Sequence, residues 1–93
     1  MITLDDIRQL LAESRGEEAI AAVDAVIAAS PSRQTLATAY YLRGNAYCQR
    51  GDWRNAMNNY LESIDLDPDG PAAEAYRSAQ QVLSFYNHDL YNP

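Results

Sequence analysis

Cys48 and His88 are the single cysteine and single histidine of this chain, and together they are the residues that could activate a thiolate nucleophile. Forty positions separate them, a spacing that says nothing about contact, and His88 lies in the tail between Asn87 and Asp89, where a solvated or hydrogen-bonded role is expected. Metal chemistry is supplied no better, because zinc needs three or four Cys, His or carboxylate ligands at defined spacing. Asp65, Asp67 and Asp69 alternate as in a calcium loop, but they flank Pro68 and lack the distal glutamate of that motif. A helix end followed by a solvated turn accounts for them. The pairs Asp5–Asp6 and Glu17–Glu18 fall at expected helix starts, where the macrodipole favours negative charge. The expectation is a non-enzymatic chain with no catalytic residue, no metal site and no cofactor.

Charge and length narrow the partners. Seven basic residues, all arginine, face 13 acidic ones, for a net charge of −6. Such a chain repels phosphate backbones, and no basic stripe interleaved with aromatics offsets the repulsion, so no nucleic-acid partner is expected. The N-terminal stretch MITLDDIRQLLAESRGEE is acidic early and reads as no signal peptide. No segment approaches the ~20 apolar residues of a membrane span. One cysteine excludes an internal disulfide. These features predict a single cytoplasmic domain over residues 1–93 with no membrane partner.

The chemistry-bearing residues sit in amphipathic segments. Trp53, Ala56, Met57, Tyr60, Leu61 and Ile64 recur at i, i+3, i+4, i+7, i+8 and i+11, the stripe of a helix over 53–66. Asp52 can cap its first free N–H groups, Gly51 suits a tight connection with positive φ, and Pro68 stops the helix. A preceding helix, roughly Ser32 to Arg50, carries Leu36, Ala39, Tyr40, Gly44 and Tyr47 on its stripe. A glycine inside a helix costs about 1 kcal/mol relative to alanine. Close approach of the next helix near Ala56 and Tyr60 explains Gly44. Tyr40, Tyr47, Trp53 and Tyr60 read as packing residues, whereas Tyr41 lies beside the stripe.

A shift of 37 residues reveals a worn upstream copy, with Leu10 under Tyr47, Ala19 under Ala56, Val23 under Tyr60, Ile27 under Ile64 and Pro31 under Pro68. Ile7 then occupies the place of Gly44, and Gly16 that of Trp53. Leu4, Ile7, Leu10 and Leu11 read as a first helix, opened by a Thr3–Asp6 capping box with aspartate in place of the usual Glu or Gln. Ala19, Ile20, Val23, Val26 and Ile27 read as a second, with a longer connection around 30–34. Downstream, Ala73–Tyr76 echoes Ala37–Tyr40 at a shift of 36, and Pro71 suits the first position of a last helix. Ala72, Ala75, Ala79, Val82, Leu83 and Tyr86 give that helix its face. The tail SFYNHDLYNP is apolar enough to fold back on the rest.

Residues 37–70 resemble a tetratricopeptide (TPR) repeat. The pattern W-x2-L-G-x2-Y…A-x3-F…P is met by Tyr40, Gly44, Tyr47, Ala56, Tyr60 and Pro68. Arg43 departs from it by standing where leucine is usual, with Leu42 one residue earlier. The resemblance implies an all-α superhelix of two antiparallel helix pairs plus a C-terminal capping helix. Its parts are a degenerate hairpin over 1–32, the repeat over 33–70, and a capping helix and tail over 71–93, similar to the closing segment of some small bacterial members.

It also implies a protein or peptide partner held on the concave face. By the family's register that face carries Tyr41, Asn45, Cys48 and Gln49, continued by Arg77 and Gln81 in the last helix and bordered by Arg8 and Leu11. A side-chain amide both donates and accepts, so Asn45 suits a peptide backbone, and Arg77 suits a carboxylate. The chain has no lysine and fewer full repeats than the members that clamp a C-terminal carboxylate, so that activity is not expected. An ordinary solvated helix face is the alternative for Tyr41, Asn45 and Gln49. Two repeats and a cap fall short of the ~3 repeats usually needed for stability, so a homodimer burying an open helix face is the other functional expectation.

Overall fold

The computed structural model describes residues 1–29 and 31–91, with side chains described as far as Phe85. Among them are five helices and no strand: α1 (Leu4–Ala12), α2 (Gly16–Ala28), α3 (Arg33–Gln49), α4 (Trp53–Leu66) and α5 (Ala72–Tyr91). This is the all-α architecture expected of the repeat pattern. Each helix packs on the next in sequence, and α1 also touches α3.

Local chemistry explains most boundaries. The Thr3 hydroxyl accepts from the Asp6 amide at 3.2 Å while the Thr3 amide donates to Asp6 Oδ2 at 2.8 Å, so the shorter aspartate closes the capping box. Ser32 caps α3 through the Thr35 amide, and Asp52 caps α4 through the Asn55 amide. Such caps stabilise a helix by about 1 kcal/mol each. At the other end of α4, Arg33 reaches from α3 to donate to the carbonyls of Leu66 and Asp65 at 3.0 and 3.3 Å. Those carbonyls have no partner within their own helix.

The two hairpin turns repeat atom for atom. Gly51 has φ 74° and its amide bonds the Cys48 carbonyl at 3.0 Å; Asp52 bonds the Tyr47 carbonyl at 2.9 Å. Thirty-seven residues earlier, Ser14 has φ 58° and bonds the Leu11 carbonyl at 3.0 Å, and Arg15 bonds the Leu10 carbonyl at 2.9 Å. A serine thus holds a left-handed conformation that costs an L-residue about 1–2 kcal/mol.

Two apolar clusters form. Ile7, Ala19, Ala22, Val23, Ala39, Leu42 and Ala46 make the first, between α1, α2 and α3. Ala56, Tyr60, Ala72 and Ala79 make the second, and Tyr41 packs against both. Gly44 has the reason expected of it, since a Cβ there would stand 2.4 Å from Cε1 of Tyr60. The aromatic expectation needs refinement. Tyr60 is buried and Trp53 and Tyr47 are half-buried against the second cluster, but Tyr40 lies half-buried with the Arg43 guanidinium 5.2 Å over its ring.

Two expectations differ from what is found. The connection before α3 is shorter than expected, because α3 begins at Arg33. The segment 84–91 does not fold back but continues α5 as helix to Tyr91, with no glycine or proline before Pro93 to stop it. The roles read for His88 and Tyr86 fall on side chains outside the described set.

Candidate protein-binding face

Tyr60 organises the face that α3 presents. Burial pushes its phenol pKa up, so the hydroxyl keeps its proton. That hydroxyl donates to Asn45 Oδ1 at 2.6 Å and lies 3.2 Å from Cys48 Sγ. With its single hydrogen committed to the amide, the phenol oxygen accepts from the thiol. Burial raises the Cys48 pKa as well, so the sulfur is a neutral thiol at physiological pH. The Tyr41 ring packs at 6.0 Å from the Tyr60 ring, tilted by 39°. Tyr41, Asn45 and Cys48 therefore meet around one buried tyrosine.

The remaining residues named from the sequence divide. Gln49 donates from Nε2 to the Leu11 carbonyl at 2.8 Å, which joins α3 to α1. The Leu11 side chain packs on the first cluster. Arg8 is exposed and pairs with Asp5 at 2.9 Å. Arg77 and Gln81 lie exposed on α5. Asn45, Cys48 and Gln49 thus make internal bonds and Tyr41 packs on a ring, while Gln49 stays exposed and the other three half-buried.

Two features escaped the sequence reading. The first is the Tyr60 hydroxyl; its only signal was a tyrosine where the repeat pattern has phenylalanine. The second is Arg43, whose departure from leucine was visible but not its use. Its Nε donates to Asn59 Oδ1 at 2.6 Å and its Nη1 to Asp24 Oδ1 at 2.6 Å, linking α2 to α4 across α3. Asn59 is buried and completes its bonding by donating to the Asn55 carbonyl at 2.8 Å. The apolar duty of the leucine position passes to Leu42, which is buried in the first cluster.

A cavity of about 620 Å³ lies between α1 and α2, lined by Ile2, Leu10 and Ala22 with Asp6, Glu13 and Glu18, and it includes none of the residues read from the sequence as the binding face. Among the described residues, no cluster of three or more His, Cys, Asp or Glu is placed to hold a metal ion, and no helix is long and apolar enough to cross a membrane.

Comparison with known proteins places these features. A family model described as TPR repeat matches residues 44–77. A Bacteroides fragilis protein, solved by solution NMR as a structural-genomics target, is 40% identical and superposes with a TM-score of 0.86, covering 99% of this chain and 91% of that one. A serine/threonine-protein phosphatase T of Trypanosoma brucei brucei is 38% identical over 68 residues, which is 70% of this chain but 14% of the phosphatase. The chain spans a small part of that curated relative.

Proposed function

We propose that this chain, which belongs to the tetratricopeptide-repeat family, is a non-enzymatic interaction module that binds a peptide or partner helix on the face formed by α1, α3 and α5. Tetratricopeptide repeats mediate protein–protein contacts, and the finer assignment rests on one observation. Tyr41, Asn45 and Cys48 are held around Tyr60 before any partner arrives. Side chains already ordered lose less entropy on binding, which favours affinity from few contacts. Tyr41 supplies aromatic area, and Arg77 and Gln81 add exposed polar groups further along. In this reading the module works in the cytoplasm, and its energy comes from a few anchors.

The test is selection of random displayed peptides on the intact chain, followed by titration of an enriched peptide against a Tyr41→Ala/Asn45→Ala variant. We expect at least a ~10-fold loss of affinity, equivalent to about 1.4 kcal/mol. Equal binding by the variant would remove this face from the reading. A second reading, self-association, is favoured by Leu61 and Phe85, which are 45% and 63% exposed on α4 and α5. Light scattering that reports a monomer at high protein concentration excludes it.

A further inference from the structure

Asn45 is bonded in one sense only. Its Oδ1 accepts from the Tyr60 hydroxyl at 2.6 Å. Turning the amide over would place Nδ2 against the phenol oxygen and leave the hydroxyl hydrogen with only the Cys48 sulfur, a weak acceptor. The flip is therefore opposed by exchange of an O–H···O bond for a weaker O–H···S one. Asn45 Nδ2 has no protein partner among the described residues, and no buried side-chain nitrogen or oxygen there lacks one, so this amino group reaches solvent.

We propose that Tyr60 is a positioning residue that makes Asn45 a donor-only contact, so that the α3 face selects an extended peptide by a main-chain carbonyl and takes no peptide N–H at this point. The inference rests on the peptide-binding reading above and specifies what that site recognises. A free asparagine bonds a peptide backbone in both directions; here the accepting half is spent inside the protein. Tyr60 itself touches no ligand. It acts through the orientation of the amide, with its ring held against Gly44.

Two substitutions separate the parts. Asn45→Asp keeps an oxygen for the Tyr60 hydroxyl and replaces the outward donor with an acceptor. The probe is an uncharged peptide enriched by display selection on the full-length chain, so that the added charge contributes little. Its affinity should fall at least ~10-fold while the melting temperature of the protein stays near the parent's. Undiminished binding by Asn45→Asp would overturn the donor-only assignment and leave the module's function standing. Failure to enrich any peptide would overturn both. Tyr60→Phe tests orientation in the free protein, because the ring remains while the bond is lost. The Asn45 side-chain amide signals in a ¹⁵N NMR spectrum should broaden or double as two flip states exchange. A single unchanged pair of signals would show that Tyr60 does not orient the amide.

Discussion

The two helical hairpins solve one packing problem with opposite residues. In the second, Gly44 leaves room on α3 and Tyr60 fills it from α4; in the first, Ile7 stands at the glycine's place and Val23 at the tyrosine's. Ile7 and Val23 are fully buried, and Tyr60 is 2% exposed. Volume has moved from one side of the interface to the other, and the helices still pack. The exchange also changes the chemistry. Ile7–Val23 is dry, while the tyrosine carries a hydroxyl that organises Asn45 and Cys48. Repeat degeneration here marks a different route to the same packing, and only one route supplies a polar face.

The strongest way to break the comparison is to move one half of a pair. Gly44→Ile alone should destabilise the fold by about 3 kcal/mol or more, the upper end of overpacking costs, because the Tyr60 ring cannot retreat. Adding Tyr60→Val should recover much of that loss, and denaturant melts of the single and double variants measure the coupling. Simple addition of the two effects would refute the volume exchange.

Arg43 joins the hairpins, so its removal tests how far they are independent. Arg43→Ala should cost about 1–3 kcal/mol, since the buried Asn59 oxygen loses its donor. Thermal unfolding should remain a single transition at lower temperature; an unchanged midpoint would reduce the bridge to a surface contact.

The turns sharpen the comparison at smaller scale. Ser14→Gly should stabilise by about 1 kcal/mol by relieving its positive φ. Gly51→Ala should lose a similar amount through φ alone, because a Cβ there meets nothing within 4 Å. Melting temperatures should shift several degrees in opposite directions.

The smallest effect is pH dependence. Thr3, through its backbone and then its side chain, holds Asp6 below its usual 3.8; Gln9 and then Arg15 lower Glu13, and Arg15 lowers Glu18, both from 4.5. A depressed carboxylate pKa gives stability that is complete above the unfolded value and lost as pH falls through the folded one. These three groups lie on or beside the first hairpin; in the second, Asn55 lowers only Asp52. Cys48 and Tyr60 are raised from 9.0 and 10.0, so their contribution is complete below those values and lost as pH rises past them. Methyl NMR should show Ile7 and Val23 loosening first below about pH 4, and Ala56 first above about pH 9. Simultaneous loosening at both extremes would show that the hairpins share one electrostatic fate.

Much of this was legible from residues alone because it is local. The stripe from Trp53 to Ile64, the caps Thr3 and Asp52, the turn at Gly51 and the stop at Pro68 each act within a few positions. Ser14 was not legible, since nothing in serine announces a left-handed backbone; the turn imposes it through bonds to Leu10 and Leu11. The α3 residues were named from the repeat register, but their bonding was not legible there. Gln49 finds its acceptor on Leu11, 38 residues away, and Arg43 finds Asp24 and Asn59 on two other helices.

The order of helices, their ends and the need to stack were therefore determined by the chain itself, through hydrophobic period, caps and breakers that act over a turn or two. Tertiary structure alone decided which polar atoms were spent inside and which were not. Hydrogen bonds form over about 3 Å, and only packing α4 against α3 brought the thiol, phenol and amide within that distance.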